Sequence, residues 1–192
     1  MAMPELNEYP VPEGKPAFGP DGRKIIYDED GKPCRTCNSL LNFRMATAKE
    51  IPKGSKSASS SVGTIAATSM AALASKPVAK DCPPDVEELG RSTWTFLHSV
   101  AAMYPEHPTD DQQQELKTFM VIFSKIYPCW FCAKGFQKFM KKNEPKVTNQ
   151  EEFGRWLCDA HNAVNEKLGK PKFDCNLWKK RWKDGWDDGR CD

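Results

Sequence analysis

The pattern of apolar and polar positions changes near residue 83, and helical periodicity continues from there to the end of the chain. Apolar residues recur at spacings of three and four, which places them on one face of an α-helix. The periodic segments cover about residues 85–103, 109–126, 128–143 and 148–168, and a short fifth helix follows residue 174. The predicted apolar faces, in that order, are Val86, Leu89, Thr93, Phe96, Leu97, Val100 and Tyr104; Leu116, Phe119, Met120, Phe123 and Ile126; Cys129, Cys132, Phe136, Phe139 and Met140; Phe153, Trp156, Leu157, Ala160, Val164 and Leu168; Trp178 and Trp182.

Local signals at the helix ends support these boundaries. Residues 109–112 (Thr-Asp-Asp-Gln) and 148–151 (Thr-Asn-Gln-Glu) each match a capping box at a helix start. Gly169 suits the C-terminal end of the fourth helix, and Asp174 suits the N-cap of the fifth. No strand-like alternation occurs after residue 83. The sequence therefore predicts an all-α fold, a four-helix bundle plus a short fifth helix.

The N-terminal part of the chain lacks this periodicity. Residues 1–33 are predicted to be mostly a disordered N-terminal segment, although residues 23–27 could form a short strand with no obvious partner. A C-x-x-C motif follows at Cys34 and Cys37, and from residue 46 to residue 80 the composition is dominated by Ser, Ala, Lys and Thr. Such a composition is typical of a flexible linker. We therefore divide the chain into a flexible N-terminal region, 1–80, and a helical domain, 81–192.

Composition narrows the functional classes. The chain has 192 residues, 8 cysteines and a formal charge of +2, which is too small by itself to indicate nucleic-acid binding. The sequence contains no apolar run long enough for a membrane helix, no secretory signal pattern at its start and no Asn-x-Ser/Thr acceptor. Abundant cysteine without a signal peptide indicates a thiol-rich catalyst, a zinc protein, or an oxidising compartment reached by another route.

The second C-x-x-C motif lies where the third helix is predicted to begin. Pro128 suits a first helical turn, so Cys129 would lie in or beside that turn. The helix dipole and the free N–H groups there lower the pKa of a thiol, so that more of it is ionised and the thiol becomes a better nucleophile. Cys132 shares the helix face of Cys129, so the two sulfurs can close into a reducible disulfide. This pattern predicts redox chemistry on a helix.

Three other interpretations compete with redox chemistry. The two C-x-x-C motifs could together bind zinc, but they are separated by a long linker, unlike the pairs of a compact zinc module. A thioredoxin-like site would need a βαβ setting, which the pattern does not predict. The aromatic and basic C-terminus could bind nucleic acid, but the acidic residues Asp184, Asp187 and Asp188 argue against it.

Four motifs in the helical domain resemble those of the FAD-linked sulfhydryl oxidases of the Erv/augmenter of liver regeneration family. They are Leu89-Gly-Arg-Ser-Thr-Trp94-x-x-x-His98, Tyr127-Pro-Cys-x-x-Cys132, Cys158-x-x-His161-Asn162-x-x-Asn165 and Lys170-Pro-x-Phe-x-Cys175. Their order makes the resemblance specific over about residues 82–192, and the N-terminal motif Gly31-Lys-Pro-Cys34-Arg-Thr-Cys37 is similar to the shuttle segment of the mitochondrial members.

This resemblance implies an enzyme that binds FAD and makes disulfides. Cys34 and Cys37 would receive electrons from substrate dithiols, Cys129 would exchange with incoming thiols, and Cys132 would lie against the flavin. The sequence has no Gly-x-Gly-x-x-Gly fingerprint, so FAD would bind without a Rossmann fold. By the resemblance, the cofactor-binding residues would be Gly90, Arg91, Trp94, His98, Tyr127, Cys158, His161, Asn162, Val164, Asn165, Lys167, Lys170, Trp178, Lys180 and Arg181.

Core packing and a solvated basic face are the structural alternatives for many of these residues. For Asn162 and Asn165, contact with the flavin edge has additional support, because a buried amide is costly without hydrogen bonds and a flavin edge would supply them. We also expect a structural disulfide between Cys158 and Cys175, because it would hold the short fifth helix on the bundle and contribute about 3 kcal/mol.

The resemblance further implies a homodimer in the mitochondrial intermembrane space. In members of the human type, cysteines in the contexts of Cys82 and Cys191 bridge the two subunits, so a Cys82–Cys191 intersubunit disulfide is expected; free surface thiols are the alternative. The implied partners are the import oxidoreductase of that compartment as electron donor and cytochrome c or oxygen as acceptor. The competing functional class is a non-enzymatic helical adaptor, cysteine-stapled or zinc-bound.

Overall fold

The computed structural model describes residues 10–47 and 81–191, which form two compact units divided between Leu89 and Gly90. The α-helices of the described residues are α1 (Leu40–Thr47), α2 (Val86–Met103), α3 (Asp110–Ile126), α4 (Trp130–Lys142) and α5 (Gln150–Lys167). Shorter 3₁₀ turns lie at Arg35–Cys37 and Cys175–Leu177, and a π-helical turn lies at Lys180–Asp184.

The C-terminal unit confirms the predicted fold class. It has the four expected helices α2 to α5, with α3 packed on α4 and α4 packed on α5. Its core is one apolar cluster formed by Leu97, Ala101, Tyr104, Leu116, Met120, Val147, Phe153, Trp156 and Leu157. No helix within residues 10–47 and 81–191 is long and apolar enough to span a membrane.

One of the two predicted capping boxes forms as expected. The Thr109 side chain accepts from the Gln112 backbone N–H at 3.2 Å, and the Gln112 side chain accepts from the Thr109 backbone N–H at 2.9 Å. The prediction of a box at 148–151 is wrong by one residue. Asn149 is the N-cap of α5 and its side chain accepts from the Glu152 N–H at 2.8 Å. Two adjacent polar residues could both cap, and backbone geometry selects the second.

The apolar faces of α2 and α3 differ in part from the prediction. Phe96 and Ile126 were placed on the buried face, but they are 55% and 73% exposed. His98, a polar residue, is instead 1% exposed. A second apolar stripe thus remains on the surface of these helices, and its large exposed members are Phe96, Met103, Val121, Ile122 and Ile126.

The fifth element is less regular than one short helix. The Asp174 side chain accepts from the Asn176 N–H at 3.0 Å, which confirms the predicted N-cap. The chain then changes from a 3₁₀ turn to a π-helical turn around Trp178. Trp178 is 1% exposed and lies against Gly154 of α5, where an added Cβ would be only 2.5 Å from the indole ring.

The N-terminal unit contains more structure than the sequence predicted. Ile25, Ile26 and Tyr27 are buried at 1%, 5% and 2% exposure, and Tyr27 donates its hydroxyl to the Pro16 carbonyl at 2.8 Å. Isolated antiparallel bridges join Phe18 to Lys24 and Tyr27 to Pro33, which supplies the partners that the 23–27 segment lacked. Residues 46 and 47 of the predicted 46–80 linker belong to α1. Residues 1–9 and 48–80 lie outside the described residues, so flexibility there stays a prediction.

A single carboxylate caps the first turns of two helices, and both of these turns lie in the N-terminal unit. Asp85 accepts from the Leu40 N–H of α1 at 3.0 Å, and it also accepts from the Glu87 and Glu88 N–H groups of α2 at 3.0 and 2.9 Å. Because the first N–H groups of a helix have no partner inside the helix, each of these bonds satisfies a donor that would otherwise need water. Asp85 therefore ties the start of α1 to the start of α2.

Candidate functional site

The Cys129–Cys132 pair forms a disulfide at the N-terminus of α4. Cys129 is the N-cap residue, and its sulfur accepts from the Cys132 N–H at 3.2 Å. The expectation that Cys129 lies beside the first turn of this helix is therefore confirmed. Cys129 is fully buried, at 0% exposure, whereas Cys132 is half-buried. The helix N-terminus favours a thiolate at Cys129, because N–H groups and the dipole both stabilise negative charge there.

Four aromatic rings from three elements form a second feature of the same unit, which we call the aromatic–histidine cluster: Trp94, His98, His161 and Trp182. Trp94 stacks on His161 with centroids 4.1 Å apart, and His98 stacks on Trp182 at 4.4 Å. His98 Nε2 and His161 Nδ1 are 3.0 Å apart and hydrogen-bonded. Helices α2 and α5 and the π-helical turn thus bring together flat rings that are far apart in sequence.

Both histidines of the cluster are uncharged at neutral pH. Burial lowers the pKa of His98 to about 3, helped by the nearby His161 and Arg181. Burial also lowers the pKa of His161 to about 4, together with the positive charges of Lys170 and Arg181. One ring therefore donates the shared hydrogen bond and the other accepts it. The remaining ring nitrogen of His98, Nδ1, is buried and has no hydrogen-bond partner among the residues that the structure describes.

Basic side chains lie around this cluster. Lys170 and Arg181 act electrostatically on His161, and the Arg181 guanidinium lies 4.1 Å from the centre of the Trp182 ring. Lys180 is paired with Asp187. The Lys167 ammonium lies 3.5 Å from the place where a Cβ on Gly135 would be. Lys170 and Arg181 thus bring positive charge to the histidine pair, and an anionic ligand would be favoured there.

The asparagine pair has internal partners. Asn162 accepts from the Phe173 N–H and donates to the Phe173 carbonyl, both at 2.8 Å. The Asn165 side chain donates weakly to the Asn162 side chain at 3.5 Å, and the backbone carbonyl of Asn165 accepts from the Lys170 N–H at 2.8 Å. The argument that a ligand is needed to satisfy Asn162 is therefore wrong, because the backbone of the following loop already satisfies it.

The remaining predicted cofactor residues occupy several positions in the C-terminal unit. Gly90 is the first residue of this unit and lies within α2, where a Cβ added to it would meet no atom within 4 Å. Arg91 follows it in the helix. Tyr127 is the C-cap of α3. Burial raises the pKa of its hydroxyl above the ordinary value, and a hydrogen bond with Thr93 offsets only part of this rise. Val164 is half-buried on α5, while Trp178 fills the space above Gly154.

Sequence reasoning missed Trp182 as a site residue. Its spacing of four from Trp178 suggested one shared helical face. The π-helical turn gives the two rings different surroundings, so that Trp178 packs on Gly154 and Trp182 stacks on His98. The adjacent pair Arg181-Trp182 was the signal available in the sequence.

The other six cysteines separate into three groups. Cys158 and Cys175 form the expected disulfide, with a sequence separation of 17, and it joins α5 to the 3₁₀ turn. Cys34 and Cys37 form a disulfide in the N-terminal unit. Cys82 and Cys191 are exposed and unpaired within the chain, so their pairing between subunits stays a prediction. Among the described residues, no group of three or more His, Cys, Asp or Glu side chains could hold a metal ion.

Comparison with known proteins gives consistent matches along the chain. The Erv1 / Alr family model matches residues 91–183. The mitochondrial FAD-linked sulfhydryl oxidase ERV1 of Saccharomyces cerevisiae is 58% identical over 182 residues, covering 92% of this chain and 96% of that protein. The mitochondrial FAD-linked sulfhydryl oxidase erv1 of Schizosaccharomyces pombe is 44% identical over 172 residues, covering 82% of this chain and 90% of that protein.

Solved structures match the helical part of the chain. The crystal structure of the yeast Erv1 core has a TM-score of 0.56 and 64% identity, covering 59% of this chain and 96% of that one. The FAD binding domain of Erv1 from Saccharomyces cerevisiae has a TM-score of 0.53 and 65% identity, covering 55% of this chain and all of that one, 100%. With a 58% identical relative matched over nearly its whole length, the chain belongs to the Erv1/Alr family.

Proposed function

We propose that this protein is an FAD-linked sulfhydryl oxidase that forms disulfides in substrate dithiols. The observation that carries the proposal is the Cys129–Cys132 disulfide at a helix N-terminus, in the same helical unit as the aromatic–histidine cluster. The names of the family relatives, which are FAD-linked sulfhydryl oxidases, point to the same activity.

The residues of the C-terminal unit fit FAD chemically. Flat aromatic and imidazole faces suit the isoalloxazine and adenine rings, and the unpartnered buried His98 Nδ1 can bond a polar ring edge. Lys170 and Arg181 supply positive charge for the pyrophosphate. When bound, FAD supplies an acceptor for two electrons. The residues that we propose to hold it are Gly90, Arg91, Trp94, His98, Tyr127, Cys158, His161, Asn162, Val164, Asn165, Lys167, Lys170, Trp178, Lys180 and Arg181, with Trp182 added from the structure.

The chain's own part in the chemistry is thiol–disulfide exchange. A substrate dithiol gives up two electrons and two protons and becomes a disulfide, while the Cys34–Cys37 disulfide becomes two thiols. The reduced Cys34–Cys37 pair then returns to a disulfide by reducing the Cys129–Cys132 disulfide in the same way. Cys129 is the proposed point of attack, and Cys132 is the proposed neighbour of FAD. Attack at Cys129 requires the side chains over it to move, because none of this residue is exposed.

The core assignment is tested with Cys129→Ser and Cys132→Ser. Each variant is expected to lose dithiothreitol oxidation, measured as oxygen consumption, while keeping the helical circular dichroism spectrum and the visible absorbance of FAD. Cys82→Ser is the matched control, because Cys82 is an exposed cysteine outside both C-x-x-C motifs. Turnover of dithiothreitol by either active-pair variant at the rate of the control would overturn the assignment.

The shuttle assignment is tested with Cys34→Ser and Cys37→Ser. These cysteines lie in the N-terminal unit, separate from the C-terminal unit that carries the FAD residues. The variants are therefore expected to keep dithiothreitol oxidation and to lose most oxidation of a reduced protein dithiol. Equal loss of both activities would rule out a shuttle role.

We further propose a homodimer joined by Cys82 and Cys191 in the mitochondrial intermembrane space. The import oxidoreductase of that compartment is the proposed electron donor, and cytochrome c or oxygen is the proposed acceptor. Both cysteines are exposed, and the apolar stripe on α2 and α3 offers a surface for a second copy.

Oxidised protein should migrate as a dimer on a non-reducing gel and as a monomer after reduction; Cys82→Ser with Cys191→Ser should remove that difference. A wild-type monomer without reductant would contradict the bridge.

A further inference from the structure

The Cys34–Cys37 disulfide lies on a turn that cannot be stable alone. The 3₁₀ helix Arg35–Cys37 has only three residues, and its N-cap, Cys34, makes no side-chain capping bond. A helix this short has a nucleation cost that its own hydrogen bonds do not offset. Contacts from elsewhere in the N-terminal unit must therefore hold the two cysteines in place.

Asn38 supplies those contacts from a buried position directly after the turn. Its side chain is 1% exposed and makes three hydrogen bonds. The carbonyl oxygen accepts from the Ile26 N–H at 2.9 Å, and the amide donates to the Ile26 carbonyl and to the Cys34 carbonyl, both at 2.7 Å. The Cys34 N–H in turn donates to the Ile26 carbonyl at 2.9 Å. Both backbone polar groups of Cys34 are thus fixed, one of them by Asn38.

We propose that Asn38 is a positioning residue for the redox chemistry of Cys34 and Cys37, which keeps the turn in its disulfide-forming conformation after reduction. This inference rests on the proposed shuttle function of the pair. The three bonds of Asn38 involve no sulfur atom, so none of them is broken when the disulfide opens. The dithiol form is then already close to the geometry that the disulfide requires.

Preorganisation of this kind favours closure of the disulfide. When the pair is reoxidised, the two thiols give up two electrons and two protons and the S–S bond forms, while the acceptor, the Cys129–Cys132 disulfide, becomes two thiols. The equilibrium constant for closure scales with the effective concentration of one sulfur at the other, and an ordered turn raises that concentration. Removing the Asn38 anchor should therefore make the pair easier to reduce.

The test compares substitutions of two buried asparagines in the same unit. Asn38→Asp keeps an acceptor for the Ile26 N–H but loses both donors, including the bond to the Cys34 carbonyl. Asn42 is the control, because it is 2% exposed and its amide donates to Asp21 at 2.9 Å, outside the cysteine turn. Asn42→Ala should disturb the unit without touching the backbone of Cys34.

The readout is the reduction potential of the Cys34–Cys37 pair in the full-length FAD-loaded protein. The protein is equilibrated anaerobically in glutathione buffers, quenched in acid and alkylated, and the thiol fraction at these two cysteines is measured by mass spectrometry. For Asn38→Asp we expect the equilibrium constant for disulfide formation to fall about tenfold, which raises the potential by about 30 mV. For Asn42→Ala we expect a change of less than about twofold.

Two outcomes would overturn the inference. An unchanged potential in Asn38→Asp would mean that Asn38 does not set the geometry of the dithiol. An equal shift in Asn38→Asp and Asn42→Ala would mean that the general order of the unit, and not the anchor at Cys34, controls the potential. Failure of the shuttle proposal is separate, because it is decided by whether Cys34→Ser impairs oxidation of a protein dithiol.

Discussion

Gly154 provides the sharpest test of the packing that holds the C-terminal segment on α5. A Cβ at this position would lie 2.5 to 2.6 Å from three atoms of the Trp178 ring, which is 1% exposed. Ordinary carbon contacts begin near 3.5 Å, so in Gly154→Ala the ring must move by about 1 Å. Overpacking of this kind costs about 1–3 kcal/mol, against a gain of about 0.5–1 kcal/mol from replacing glycine within a helix. We expect a net loss of about 1–2 kcal/mol in the free energy of unfolding.

The same substitution at Gly135 is the control. Gly135 lies within α4, and a Cβ there would meet only the Lys167 ammonium at 3.5 Å, which is the mobile end of a long side chain. Gly135→Ala should therefore raise the free energy of unfolding by about 0.5–1 kcal/mol. Urea titrations of the two variants, monitored by far-ultraviolet circular dichroism, measure the change in the free energy of unfolding for each.

The two substitutions are expected to change the free energy of unfolding in opposite directions. A further variant tests whether the contact with Trp178 causes the loss. Trp178→Phe removes the ring that the new methyl would meet, so it should reduce the cost of Gly154→Ala in the double variant. A Gly154→Ala protein as stable as its Gly135→Ala counterpart would refute the packing argument, and an unrescued double variant would place the cost elsewhere.

Three further predictions concern stability. Replacing both Cys158 and Cys175 by serine should lower the free energy of unfolding by about 3 kcal/mol in the chain-entropy model, measured by urea titration; an unchanged midpoint would show that the link adds nothing. The pKa values of His98 and His161 are about 3 and about 4 in the fold and near 6.5 when unfolded, so the unfolded state binds more protons between these values. Flavin-free protein should thus keep full stability from these rings above pH 6.5 and lose about 2 kcal/mol by pH 5 through His98 alone, with a further loss, reduced by solvent screening, through the partly exposed His161. His98→Gln should lose less, and a flat profile would contradict the burial of neutral rings. Asp85→Ala should cost about 1–2 kcal/mol and speed amide hydrogen exchange in the first turns of both α1 and α2, whereas faster exchange in only one helix would disprove the shared cap.

The helices were predictable because their signals are local. Spacings of three and four, and the Thr109 box, depend on residues within one or two turns, so the ranges of α2 to α5 agree with the sequence to within a few residues. The shift from Thr148 to Asn149 at the start of α5 is a choice between adjacent polar residues, which the pattern alone cannot make. The order around Ile26 was missed because its partners, Cys34 and Asn38, follow it by 8 to 12 residues without any period.

The candidate site was predictable in its chemistry and less so in its geometry. Two cysteines beside a helix start indicate a redox disulfide, and the structure places them there. The burial of Cys129, and the satisfaction of Asn162 by the Phe173 backbone, depend on tertiary packing and were not predictable from spacing. Trp182 was missed because the π-helical turn changes the register that a regular helix would give it.

The contact between Gly154 and Trp178 also constrains how this sequence can evolve. A glycine inside a helix would ordinarily be free to become alanine, and selection for stability would favour that change. Here the indole already fills the volume that the new methyl would need. Positions 154 and 178 are therefore coupled: a substitution at the glycine is disfavoured unless the large ring is lost before it or together with it. In an alignment of relatives we expect side chains larger than glycine at position 154 only where position 178 carries a smaller residue.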